Sequence, residues 1–180
     1  MEASPKNETN NHSFDNKLSI DDFEILKQIR KEEHSSIEQV QYKKTGKIYA
    51  LKSQEKKYFD YKENEINHLR GKKILYDLTK RDYPHTVKLY ADFEDDNYRY
   101  LVMEFIEGTY LHELKGNIQN RGYISQNLVI NIITQLLETL EYLHYTCHII
   151  HRNIKPDNII IEKNNNIKLI KYIFNNLSNK

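Results

Sequence analysis

His151-Arg152-Asn153-Ile154-Lys155-Pro156-Asp157-Asn158 is a polar stretch that runs directly into Ile159-Ile160-Ile161. The three isoleucines read as a short apolar strand, and the polar residues before them as a loop that presents its side chains. The turn Lys163-Asn164-Asn165-Asn166 and a second strand over residues 167–170 complete a hairpin. Upstream, Ser125 is placed to cap a helix. Val129, Ile132, Ile133, Leu136, Leu137, Leu140 and Leu143 then recur at three- and four-residue spacing, the strongest helix signal of the chain.

Further toward the N-terminus the period changes. Residues 23–29, 39–42 and 47–53 read as strands, with Lys43-Lys44-Thr45-Gly46 as a hairpin turn. Residues 62–78 carry Ile66, Leu69, Ile74, Leu75 and Leu78 among charges and read as a helix. Strands over 87–93 and 98–105 follow, joined by the acidic turn Glu94-Asp95-Asp96-Asn97. Residues 1–17 are polar and aperiodic, so a disordered leader is expected over residues 1–20.

Bulk properties exclude several roles. The 27 Lys and Arg against 26 Asp and Glu leave a formal charge of +1, no electrostatic case for nucleic acid or an anionic membrane. No apolar run approaches the roughly 18 residues needed to span a bilayer. Hydrophobic residues make up 38% of the chain, enough for a core, and the mean hydropathy of −0.80 marks a polar surface. The single Cys147 can form no internal disulfide, which fits a reducing compartment, so cytoplasm or nucleus is expected.

The loop at 151–158 resembles the catalytic loop of the Ser/Thr protein kinases at every position except one. Tyr49-Ala50-Leu51-Lys52 is similar to their third-strand lysine motif. Leu101-Val102-Met103-Glu104-Phe105 is similar to their gatekeeper and hinge, with Met103 as gatekeeper. Pro84-His85-Thr86-Val87-Lys88-Leu89-Tyr90 is similar to their fourth strand. The resemblance, closest to the AGC and Aurora-like groups, implies an α+β protein-kinase-like fold. It would have a five-stranded antiparallel small lobe with one helix over residues 21–106, and a truncated, mainly helical large lobe over residues 107–180. Lys52, Ala50, Met103, Glu104, Phe105 and Ile160 are then what remains of an ATP site.

Kinases transfer phosphate by positioning and charge stabilisation, so few groups carry the chemistry. Counting back from Lys52, the three glycines of the phosphate-covering loop correspond to Arg30, Glu32 and Ser35. Each puts a side chain where bare backbone is needed. The glutamate that would hold Lys52 falls nineteen residues on, at Gly71; Glu63 and Glu65 are the substitutes if the helix is re-registered. Asn153 stands for the catalytic aspartate, and an amide cannot take up a proton at neutral pH. Lys155 and Asn158 are retained, as phosphate contact and second metal ligand or simply as hydrogen-bonding loop residues. Lys171 replaces the Mg²⁺-binding aspartate, so no metal is expected, and Tyr172 can fill the neighbouring aromatic position.

The expectation is a catalytically inactive pseudokinase that acts as a scaffold or allosteric module. It binds another protein, a second kinase being one candidate, and takes up no cofactor. Two alternatives stand beside it. One is a Ser/Thr kinase with residual binding of ATP and Mg²⁺ through Lys52, Lys155 and Asn158; the other is a non-functional kinase fragment. The resemblance implies a large lobe that continues well past the position of Lys171. Without its helices, an apolar face of the 125–144 helix on the order of several hundred Å² would be exposed and open to self-association.

Overall fold

Residues that alternate between two environments build the first lobe. In the computed structural model, which describes Phe14 and residues 17–114, 124–170 and 175–176, five antiparallel strands form one sheet. They are β1 (Phe23–Lys31), β2 (Ser35–Tyr42), β3 (Ile48–Glu55), β4 (Leu89–Glu94) and β5 (Tyr98–Glu104), in the spatial order β1-β2-β3-β5-β4. Successive side chains of a strand point to opposite faces. Leu51 and Val102 therefore join Phe23, Val40, Tyr42, Tyr49 and Tyr100 in a core on one face. Ala50, Leu101 and Met103 join Leu75, Val87 and Leu89 on the other. Phe14, Leu18 and Ile20 of the expected leader lie against the first of these cores, with the Phe14 ring 5.2 Å from that of Tyr42. Residues 1–13, 15 and 16 of that leader lie outside the described residues, as do Lys171 and Tyr172.

A short 3-10 turn, Lys56–Asp60, leads from β3 into α1 (Lys62–Arg81), which buries Ile74, Leu75 and Leu78. Thr79 Oγ1 receives the Leu89 N–H at 2.8 Å and so holds the helix end to β4.

The second lobe contains β6 (Gly108–Tyr110), α2 (Gln126–Glu141) with a π turn at Tyr142–Thr146, and β7 (Ile149–Ile150). β8 (Ile159–Glu162), β9 (Ile167–Leu169) and β10 (Asn175–Asn176) follow. β6, β8 and β9 form one sheet and β7 pairs with β10. Gly108 is required where it stands, because a Cβ there would come within 2.4 Å of the Ile161 carbonyl oxygen. Ser125 caps α2, its Oγ accepting the Leu128 N–H at 3.2 Å.

The apolar stripe expected to form the core side of α2 is divided. Ile132 and Leu143 are buried, whereas Val129, Ile133 and Leu137 are exposed. Gln135 and Thr139 take inward positions instead. Gln135 satisfies the β8–β9 turn, its Oε1 receiving the Ile167 N–H and its Nε2 donating to Asn165 O, both at 3.0 Å. Buried backbone groups need partners, and the amide of Gln135 supplies one donor and one acceptor.

The lobes are stitched together along β9. Leu169 N–H donates to His85 O at 2.9 Å, and Val87 N–H donates to Leu169 O at 3.2 Å. Lys168, 7% exposed, places its ammonium 2.8 and 3.0 Å from the two carboxylate oxygens of Glu104 at the end of β5. No helix among the described residues is long and apolar enough to cross a membrane.

Candidate active-site cleft

Between the lobes lies a cleft of about 470 Å³, within the range of small-molecule sites. β3 contributes Lys52, β5 contributes Leu101 and Met103, α1 contributes Leu75, and the second lobe contributes Asn158 and Ile170. Lys52, Met103 and Asn158 are thus brought together as the sequence implies. Ala50 pairs with Met103 across β3 and β5 and is buried in the sheet behind them. Ile160 is buried on β8 opposite Lys168 and Tyr110. The Glu104 carboxylate is held by Lys168 and the Lys88 N–H, and half-buried Phe105 follows it. Lys155 is exposed on the loop and does not line the cleft.

The β1–β2 turn forms the roof. Its tip is closed by Glu32 N–H donating to Ser35 O at 2.7 Å. Arg30 Nε lies 3.0 Å from Glu32 Oε1, and Ser35 Oγ donates to Glu32 Oε2 at 3.2 Å. The three positions at which the resemblance implies glycine are therefore tied to one another through a single carboxylate. His34 fastens the turn further, its carbonyl accepting the Glu55 N–H at 3.0 Å and its ring facing that of Tyr58.

The cleft-facing side of α1 carries Asn64, His68 and Leu75. Helical spacing puts Gly71 on that same face, and a Cβ built there meets nothing within 4 Å. The space beside Gly71 is thus open. Glu65 does not substitute, because it lies 3.2 Å from Arg99, whose guanidinium sits over the Phe59 ring at 4.5 Å. Glu63 is exposed. His68 bonds Gln54 Oε1 through Nδ1 at 3.2 Å. Burial, then the nearby Arg99, Lys52 and Lys72 charges, lowers its pKa to about 4, so it is neutral at pH 7.

The loop retains its internal bonding. His151 is 1% exposed and its Nδ1 accepts the Asn153 N–H at 3.2 Å. Asn158 Nδ2 donates to Asn153 O at 2.8 Å, and the Asn158 carbonyl accepts the Ile170 N–H at 3.0 Å. Arg152 takes a left-handed conformation, φ 57°, between them. Asn158 Oδ1 is buried without a hydrogen-bond partner among the described residues.

That orphaned oxygen, aimed at no described partner, could accept from a donor on a nucleotide or meet a cation. Among the described residues that line the cleft, the carboxylates are Glu32 and Glu33 on the roof, and none is an aspartate. Hard divalent cations need several oxygen ligands, usually with one or two carboxylates. The described residues contain no group of three His, Cys, Asp or Glu that could hold a metal. Glu32 instead brings negative charge to the roof, where a polyphosphate would lie.

Sequence reasoning missed Glu104–Lys168, which joins residues far apart in the chain, and the cleft positions of His68 and Tyr110. The His68 position was available from its helical spacing to Leu75. The other two depend on tertiary pairing.

Comparison with known proteins supports the same assignment. The protein kinase domain family matches residues 23–177. The chain is 36% identical over 172 residues to an Aurora kinase of Candida glabrata, covering 93% of this chain and 45% of the relative. It is 34% identical over 154 residues to the probable serine/threonine-protein kinase pkgA of Dictyostelium discoideum, covering 86% of this chain and 11% of that protein. The chain therefore spans less than half the length of either. The solved structure of Rad53 1-466 in complex with AMP-PNP superposes with a TM-score of 0.73 at 27% identity, covering 85% of this chain and 39% of that one. With this sheet order, this loop and these matches, the chain belongs to the protein kinase domain family.

Proposed function

We propose that this kinase domain is a pseudokinase, a folded module that binds another protein and does not transfer phosphate. The observation that carries the reading is the roof of the cleft. Arg30, Glu32 and Ser35 bond one another where kinases expose bare backbone amides to phosphate. Two further substitutions support it. Gly71 carries no carboxylate at the helix position where the kinase ion pair has its glutamate, and Asn153 offers an amide where a general base is needed. General-base catalysis alone is worth about 10²–10⁴ in rate. In the sequence, Lys171 stands where the family has its metal-binding aspartate, an ammonium in place of a carboxylate.

In this reading Lys52, Ala50, Met103, Glu104, Phe105 and Ile160 persist as the frame of a former ATP site, and Lys155 and Asn158 as loop residues. The boundary between the lobes falls at residues 106 and 107. A second reading, residual nucleotide binding, is favoured by one feature, the unpartnered Asn158 Oδ1. Because the Rad53 relative was solved with AMP-PNP, a nucleotide is the ligand to test. Thermal denaturation is measured with ATP alone and with ATP plus Mg²⁺. The pseudokinase reading predicts no metal-dependent stabilisation. A gain of about 2 kcal/mol or more that requires Mg²⁺ would support the second reading and overturn the first.

A further inference from the structure

α1 has a second face, turned away from the cleft. Arg70, Lys73, Asp77 and Arg81 follow one another along it at helical spacing, three cations against one carboxylate. They border a pocket of about 220 Å³ whose apolar floor is Ile74 and Leu78 of α1 and Ile149 of β7. Cys147 lines it from the second lobe. Beside the pocket, Arg81 and Cys147 lie close to Tyr142, whose ring stacks on that of Tyr83 at 4.0 Å.

We propose that this groove is a docking site for an acidic peptide segment of a partner protein that carries an apolar anchor side chain. The pairing follows from the two materials of the groove. A cationic rim orients an acidic chain and speeds its arrival, and an apolar floor rewards burial of one side chain. A nucleic acid would use the rim and leave the floor empty, and Asp77 would oppose it. The walls come from both lobes, so an occupant bridges α1 and β7 and sets the helix relative to the second lobe. The inference is independent of the chemistry of the cleft and holds whether or not the domain transfers phosphate.

The test uses the full chain and a fluorescein-labelled peptide, Asp-Glu-Asp-Phe-Glu-Asp-Glu, read by fluorescence anisotropy. Saturable binding is expected, weakened about tenfold or more by the double charge reversal Lys73→Glu/Arg81→Glu and by replacing the peptide's Phe with Ser. Lys80→Glu, which adds the same kind of charge to an exposed position outside the pocket, leaves binding unchanged. On the unmodified protein, bound peptide slows alkylation of Cys147 by iodoacetamide, a readout that needs no variant. The proposal is overturned if the peptide fails to saturate, if Cys147 alkylates at the same rate with and without it, or if a single-stranded oligonucleotide of equal charge competes equally well.

Discussion

The frame of the cleft and its reactive edge have diverged in opposite directions. The frame is densely built: Leu75, Leu89, Leu101 and Met103 share one core, and Lys168 and Glu104 tie β9 to the hinge end of β5. The edge has side chains that meet one another or nothing. Arg30 and Ser35 are engaged with Glu32, and Gly71 faces open space. A fold can therefore keep the packing of its family's frame while individual side chains around the cleft differ. Packing constrains the first set through stability, and nothing in the fold constrains the second.

The largest effect should come from the frame. Lys168→Ala leaves the Glu104 carboxylate without its cation in a site that is 8% exposed on the lysine side and 20% on the glutamate side. Loss of about 3–5 kcal/mol is expected by chemical denaturation. The double variant Lys168→Met/Glu104→Gln recovers much of it if the cost comes from the unpaired charge. Equal loss in single and double variants would show that the pair is incidental to the frame.

His68 gives a pH-dependent test between the two regions. A histidine with a pKa of about 4 when folded and about 6.5 when unfolded binds fewer protons in the native state. Its contribution to stability is full above pH 6.5 and is lost as pH falls through about 4. Between pH 7 and pH 4.5 the unmodified protein should lose more thermal stability than His68→Gln, which keeps a polar side chain beside Gln54 but cannot titrate. Parallel curves for the two proteins would contradict the placement of His68 in the cleft wall.

Edge substitutions should be mild or favourable. Gly71→Glu removes a helix-interior glycine at a site where a Cβ meets nothing within 4 Å, so a gain of up to about 1 kcal/mol is expected, visible as a higher thermal midpoint. Destabilisation would mean that the space beside Gly71 is filled. Asn153→Asp, on a half-buried loop whose backbone carries the bonding, should change stability by less than about 0.5 kcal/mol.

The sequence makes the frame legible where the residues signal locally. The polar octad before three isoleucines, the Ser125 cap and the five strands are read from side-chain type and period, and each is found near its expected place. β6 and β7 escape notice because strands of three and two residues have no period. Gly108 could mark the first only through its close approach to Ile161 O, a tertiary fact. For α2, period fixes the stripe but not which residues turn inward. The β8–β9 turn recruits Gln135 for its backbone, and Ile133 and Leu137 are left outside. At the site, the sequence identifies what each position lacks, but not that Arg30, Glu32 and Ser35 satisfy one another, since that depends on the turn bringing their side chains together.

The most direct measurement is transfer of radioactive phosphate from ATP to a generic basic peptide by the purified chain, with Lys52→Met as the paired control. No incorporation above that of the Lys52→Met protein, with Mg²⁺ or Mn²⁺ present, is the predicted result. Incorporation that rises with enzyme concentration and disappears in Lys52→Met would contradict the claim that this cleft is chemically silent.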